Sequence, residues 1–412
     1  MVDTQWVMQQ VAKLGRIGVT PEKGRTRLCY TAEAEAGRQF VRNLMAGLGL
    51  DVRQDAVGNL FGRLEGADPT LPPILVGSHV DTVPNAGAYD GCLGVLAAVG
   101  VVRGIIQSGD RPRYPIEIVS FEGEESSRFG LGTIGSRAFA GALDPEGLHR
   151  YRDASGLTLG QALAALGADA EAIREAAAGP GQYRAYLELH IDQGVLLDAV
   201  ERSVGVVTAI AAPERWQFTI HGEAAHSGAA LMDQRKDALM AAAHILSQVE
   251  GFAQAEAAFQ TVVTIGQLVV RPNAMNVVPG EVTFSLDVRS IDTPSRDRLV
   301  ANVRNAIDRE LERRGMTCTS RFMSADRPIP MDRELQDRLT ASAAGLAVSQ
   351  IPVPSLAGHD AIHVADICPA AMLLCRNVSR TSHSPAEQPD PAHMAEAIRV
   401  LDVAVRGLAE CQ

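Results

Sequence analysis

The sequence has no surplus of positive charge. Its 412 residues carry 38 Lys and Arg against 49 Asp and Glu, a formal net charge of −11. Nucleic-acid binders usually show a basic patch or a basic balance, so this composition argues against that class. Cysteine is sparse: Cys29, Cys92, Cys318, Cys368, Cys375 and Cys411 are scattered, with no CxxC pair. Neither a disulfide framework nor a thiolate metal knuckle is expected, and a reduced, intracellular chain fits best. Long apolar runs are missing too. The most apolar stretch, CLGVLAAVGVVRGII, is cut by Arg103 before it could span a bilayer. The opening residues, MVDTQWVMQQVAKLGR, lack the apolar core of a signal peptide, so a cytoplasmic location is expected. No fixed-period repeat stands out. The glycines around Gly91 and Gly94 do not form a strand–GxGxxG–helix arrangement, so nucleotide binding is not expected.

What is present is ordinary globular material, 46% hydrophobic and 21% charged. A chain this long suggests two or three domains and can bury a large core without staples. PPILVGSH (72–79), PIEIVSFEGEE (115–125), RAYLELH (184–190) and AAMLLCR (370–376) read as strands, and LGVLAAVGVVRGIIQ as a helix. Nearly continuous apolar strands between helices predict an α/β fold: a mostly parallel sheet covered by helices on both faces. The middle differs. Strand 216–222, helix 235–253, strands 260–270 and 280–290, helix 294–315 and strand 317–323 follow the β-α-β-β-α-β order of a ferredoxin-like unit. The expected organisation is therefore a catalytic domain, 1–210 and 325–412, carrying an inserted ferredoxin-like α+β domain, 211–324.

Chemistry gathers where the apolar strands end. His79 and Asp81 close the first, with Asp90 in the following loop. Glu122, Glu124 and Glu125 follow the second, and His190 closes the third. Open α/β sheets bind ligands outside the carboxyl ends of their strands. Clustered glutamates leaving a buried strand are costly unless positive charge compensates them, and a metal pair would supply it. Imidazole and carboxylate donors without thiolate suit Zn²⁺, and also Mn²⁺, Co²⁺ or Ni²⁺. Any one histidine or glutamate pair taken alone reads as structural or solvated. Three such patterns at strand ends in one chain reverse that reading.

The segments GNLFGRLEG, GSHVDTVPNAGAYDG, FEGEESSRFG, GSRAFAG, YLELHIDQG, VGVVTAIA, GEAAHSGA, MNVVPG, DVRS, AGHDA and TSHSPAE run from about residue 58 to 387. Together they resemble the dinuclear-metal amidohydrolases of the hydantoinase/carbamoylase group. That group includes N-carbamoyl-L-amino-acid hydrolases, β-ureidopropionases and allantoate amidohydrolases, relatives of aminoacylases and glutamate-type carboxypeptidases. The resemblance implies that His79, Asp90 and His190 hold one metal, with Asp90 bridging to a second completed by Glu125 and His383. Asp81 would fix the His79 tautomer, and Glu124 would be the general base. Gln193, His226, Asn276, Arg289 and Gly358 would contact substrate. Arg289 would fork onto a carboxylate, and His226 would polarise the scissile carbonyl. The implied assembly is a homodimer paired through the inserted domain, with His226 and Asn276 serving the partner's site.

The chain departs from the family pattern at GAALM (228–232), at Cys92 and in the glutamate motif EGEES, which touches substrate choice and removes no ligand. His359 and Asp360 match a family signature without an assigned role. Cys92 lies near the site without a partner histidine motif for a thiol nucleophile. The implied activity is metal-dependent hydrolysis of a linear amide in a small carbamoyl carboxylate, an N-carbamoyl-L-amino acid first, allantoate or β-ureidopropionate next. An aminoacylase or dipeptidase is the rival enzyme, disfavoured because those relatives commonly carry an acidic residue where His190 stands. A retired, carboxylate-binding relative should have lost a ligand or the base, and all are present.

Overall fold

The computed structural model describes residues 1–411. Contacts divide them into two compact units. The first comprises Met1–Thr208, Met331–Val353 and His359–Gln412; the second comprises Ala209–Pro330 and Pro354–Gly358. Among the described residues no helix is long and apolar enough to cross a membrane.

The first unit is built on a twisted sheet. From one edge its strands run Asp51–Gln54, Leu60–Leu64, Ile116–Phe121, Ile74–His79, Ala185–Ile191, Ala370–Cys375 and Val204–Ile210, against which Gln350–Ser355 also pairs. The central four are mutually parallel and wholly buried, and Leu60–Leu64 and Val204–Ile210 on either side run antiparallel to them. Burial on both faces explains why these segments read as unbroken apolar runs. In Ala185–Ile191, alternation sends Ala185, Leu187, Leu189 and Ile191 into the main core. Tyr186, Glu188 and His190 therefore face the other side. Helix Cys92–Ser108 is apolar all round and almost entirely buried between sheet and outer helices. Its Arg103 escapes by laying its guanidinium over Trp6, 4.8 Å from the ring centroid. Helix Pro391–Leu408 packs beside it, and the short helices Ile134–Phe139 and Ala361–Val364 cover the opposite face.

The second unit has the split βαβ order that the sequence pattern predicts. Its antiparallel sheet runs Leu268–Arg271, Glu281–Ser290, Ala212–His221, Thr317–Ala325, with Val262–Thr264 on the same edge as Leu268–Arg271. Strand 260–270 is thus two pieces rather than one. Strict alternation in Glu281–Ser290 buries Val282, Phe284, Leu286 and Val288 beneath helices Ala238–Ala255 and Thr293–Arg314. The same alternation puts Asp287 and Arg289 on the opposite face. The unit extends a few residues past the expected limits of 211 and 324, because Ile329–Pro330 pairs with Ala209–Ile210.

Candidate metal centre

His79 is the last residue of its strand and is buried. Its Nδ1–H donates to the main-chain carbonyl of Asp81 at 3.1 Å, which turns Nε2 outward as a lone pair. That Nε2 has no hydrogen-bond partner. It lies 3.5 Å from Asp90 Oδ1, which is also unpartnered, and 3.8 Å from Glu124 Oε2. His190 repeats the device: Nδ1 faces the carbonyl of Ile191 at 3.1 Å, and Nε2 stands 3.1 Å from Asp90 Oδ1. Gly91 makes the approach possible. Its φ is +62°, and a Cβ there would fall 2.4 Å from His79 Nε2.

Asp90 faces two ways. Its other oxygen, Oδ2, accepts from Gln193 Nε2 at 2.7 Å and Ser382 Oγ at 2.6 Å, with His383 Nε2 at 3.6 Å. His383 Nε2 is also 3.2 Å from Glu125 Oε1. The result is two groups of ligand-type atoms, His79–Asp90–His190 and Asp90–Glu125–His383, each gathered within 4.8 Å and sharing Asp90. His383 reaches the second group from a residue at φ +56°, a left-handed conformation costly for a non-glycine.

The glutamates divide their work. Glu122 is bound by buried Arg38 at 2.6 Å and by the Tyr30 amide, and so braces the fold. Glu124 and Glu125 are aimed by their backbones: their N–H groups donate to the two oxygens of Asp81, at 3.2 and 3.1 Å. The expected carboxylate brace on His79 is accordingly made by the Asp81 carbonyl. The Asp81 carboxylate stands 3.6 Å from Nδ1 and is taken by those two amides.

The electrostatics reflect dense, buried negative charge around the two imidazoles. Burial opposes charge on His79, yet Glu124, Asp90 and Asp81 raise its pKa well above the ordinary histidine value. Burial likewise opposes ionisation of Asp90, yet His190 and His79 hold its carboxyl well below the usual range. Burial, reinforced by the negative charge of Glu125, Asp360 and Asp81, pushes Glu124 well up despite the nearby His79. Carboxylates at this density, with a buried imidazole nitrogen and a carboxylate oxygen left unpaired, fit divalent cations.

Several side chains near the cluster carried no assigned role in sequence. His359 is buried with its ring edge-on to His190, centroids 4.6 Å apart, and burial holds it neutral, well below the ordinary histidine pKa. Asp360 accepts from Ser136 Oγ at 2.6 Å. Its carboxyl is pushed up to about 8 by burial and Glu188. Cys92 is buried and accepts from Arg27 Nη2 at 3.0 Å. Ser382 and Glu387, which both touch Asp90, escaped the sequence reading altogether; the only signal was their place in TSHSPAE.

The remaining expected residues belong to the second unit. Ala225–His226 pairs with Val277–Val278, and Ser227 N donates to Asn276 O at 3.0 Å. The ribbon thereby brings His226 and Asn276 side by side, both exposed. Arg289 is forked onto Asp287 at 3.2 and 3.3 Å, and Arg215 holds the same carboxylate at 3.0 Å. Gly358 ends the segment whose Leu356 carbonyl lies 3.5 Å from Arg289 Nη1.

Known proteins share this arrangement of chain. Residues 75–406 match the model of peptidase family M20/M25/M40. The chain is 38% identical over 410 residues, covering 100% of this chain and 100% of the other, to an N-carbamoyl-L-amino acid amidohydrolase of Geobacillus stearothermophilus. It is 32% identical, over 98% of each, to the allantoate amidohydrolase of Escherichia coli strain K12. A hydantoinase/carbamoylase family amidase from Burkholderia ambifaria superposes with a TM-score of 0.89 at 34% identity, covering 100% of this chain and 98% of that one. The M20 family is generally metal-dependent, in keeping with the two ligand-type groups. From these matches, this chain belongs to the M20/M25/M40 peptidase family and is a hydrolytic enzyme akin to its hydantoinase/carbamoylase amidases.

Proposed function

We propose that this enzyme hydrolyses the linear amide C–N bond of a small carbamoyl or ureido carboxylate. The preferred substrate is an N-carbamoyl-L-amino acid, giving the amino acid and carbamate, which decays to ammonia and carbon dioxide. Glu124 carries the reading: its carboxylate stands 3.8 Å from His79 Nε2, beside the first ligand-type group, and is a member of neither group. Full-length similarity to a carbamoyl-amino-acid amidohydrolase supports the choice of bond.

In this reading His79, Asp90 and His190 hold one divalent ion, and Asp90, Glu125 and His383 hold the other, as Zn²⁺, Mn²⁺, Co²⁺ or Ni²⁺. Ions bound there would polarise the carbamoyl oxygen and make an attacking water more acidic. Glu124 takes a proton from that water as its oxygen bonds to the carbamoyl carbon. It then passes the proton to the amine nitrogen as the C–N bond breaks. A carboxyl held well above the usual range by burial is suited to carry a proton between the two steps. Arg289 is assigned the substrate carboxylate, with Asp287 presetting the plane of its fork. Gln193, His226, Asn276 and Gly358 are assigned the other substrate contacts, and the assembly a homodimer paired through the inserted unit.

The test is ammonia release from N-carbamoyl-L-amino acids, allantoate and β-ureidopropionate beside release of free amino acid from N-acyl amino acids, with metal stripped and restored. The carbamoyl acids should turn over fastest, only with metal. Turnover of N-acyl amino acids alone would overturn the reading. Fastest turnover of allantoate would favour the second reading, which the similarity to the Escherichia coli enzyme supports.

A further inference from the structure

We propose that Glu387 is a positioning residue that sets Asp90 and the Ser382–His383 turn in register for two divalent ions. The inference rests on the reading that Asp90, Glu125 and His383 bind metal. Glu387 is buried, and a buried carboxylate persists only where donors compensate it. Its donors come from the two loops in question. Oε1 accepts from the Tyr89 amide at 2.8 Å and the Asp90 amide at 3.2 Å. Oε2 accepts from Ser382 Oγ at 2.9 Å. One carboxylate thus ties the backbone of the shared ligand Asp90 to the residue preceding His383.

The place is shaped for it. A Cβ on Gly87 would fall 2.3 Å from Glu387 Oε1 and 2.5 Å from its Cβ, so any larger residue there displaces the carboxylate. Ser382 supplies a second role. Its hydroxyl has one proton and faces two carboxylates, Asp90 Oδ2 at 2.6 Å and Glu387 Oε2 at 2.9 Å. When a cation takes Asp90 Oδ2, Glu387 gives that proton somewhere else to go. A glutamine at 387 would instead donate to Ser382 and force the hydroxyl proton onto Asp90, where it competes with the ion. Partners lying behind metal ligands typically change affinity by about ten- to a hundredfold when lost.

The experiment titrates metal-free protein with Zn²⁺ against a chelating dye and records the visible spectrum with Co²⁺, using wild type, Glu387→Gln and Gly87→Ala. Circular dichroism checks folding. Fewer than two ions bound by wild type would sink the metal assignment itself, a different failure. Given two, Glu387→Gln should keep its fold, weaken one ion by at least about tenfold and change the Co²⁺ spectrum. Wild-type affinities and an unchanged spectrum would overturn the proposal. Should Glu387→Gln fail to fold, Gly87→Ala decides. It keeps the carboxylate but displaces it, so the same loss supports the proposal and two wild-type ions refute it.

Discussion

Glu124 and Glu125 are neighbours in sequence, yet their carboxylates are assigned opposite duties, and the division is made by Asp81. By accepting both of their amides it fixes the turn that leaves Glu125 against His383 and Glu124 against His79. Glu124→Gln should lower kcat by about 100- to 10,000-fold while two metals remain bound, because a proton carrier is lost and no ligand. Glu125→Ala should lose one metal instead. Metal analysis beside steady-state kinetics separates them, and metal loss in Glu124→Gln would show the two roles exchanged. Gly91 is as decisive by what it lacks. Gly91→Ala puts a methyl 2.4 Å from His79 Nε2 at a backbone conformation of φ +62°. Metal affinity should fall at least about tenfold, with about 1–3 kcal/mol of stability lost. An alanine variant with wild-type metal content would refute the steric account.

At the scale of elements, the short helix Ala361–Val364 is held against Ile134–Phe139 by polar groups as well as by packing. His363 meets Thr133 Oγ1 at 3.0 Å, and Ser136 donates to Asp360. Burial first, and then the positive charge of Arg137, depress the His363 pKa to about 3. Below about pH 6.5 the unfolded chain binds a proton at this ring that the folded chain refuses. Stability must therefore fall as pH drops from about 6.5 toward 3. Between pH 7 and pH 5 this one ring should cost about 2 kcal/mol. Urea unfolding at those two pH values should show His363→Gln losing less than wild type by that amount; equal losses would mean that His363 is charged in the folded state. The four central strands are legible in sequence because burial on both faces demands apolar runs. The antiparallel strands Leu60–Leu64 and Val204–Ile210 were not expected as strands, since nothing local to them announces which neighbour they join. The break between Val262–Thr264 and Leu268–Arg271 is similar: both halves are strand-like, and only pairing with Glu281–Ser290 reveals the interruption.

At the scale of the whole molecule, the homodimer proposal makes a claim that single-chain variants cannot test. Glu124→Gln and His226→Ala are each expected to be inactive. If His226 serves its partner's site, subunit exchange should create one intact site in each mixed dimer and restore activity, whereas silence after proven exchange would remove that role. The sequence by itself carried the class of fold, the histidines and carboxylates at strand ends and, through its motifs, the family. The residues at strand ends are legible because the strand ends of a parallel sheet converge whatever the loops do. Only the tertiary structure decided which oxygen of Asp90 faces which histidine, that the Asp81 carbonyl braces His79, and that Arg289 meets Asp287. Ser382 and Glu387 belong to the same class. Each of these depends on hydrogen bonds between segments remote in sequence, or on a rotamer. A buried carboxylate with backbone donors looks, in sequence, like any solvated glutamate. Its cost and its purpose arise only when the chain closes over it.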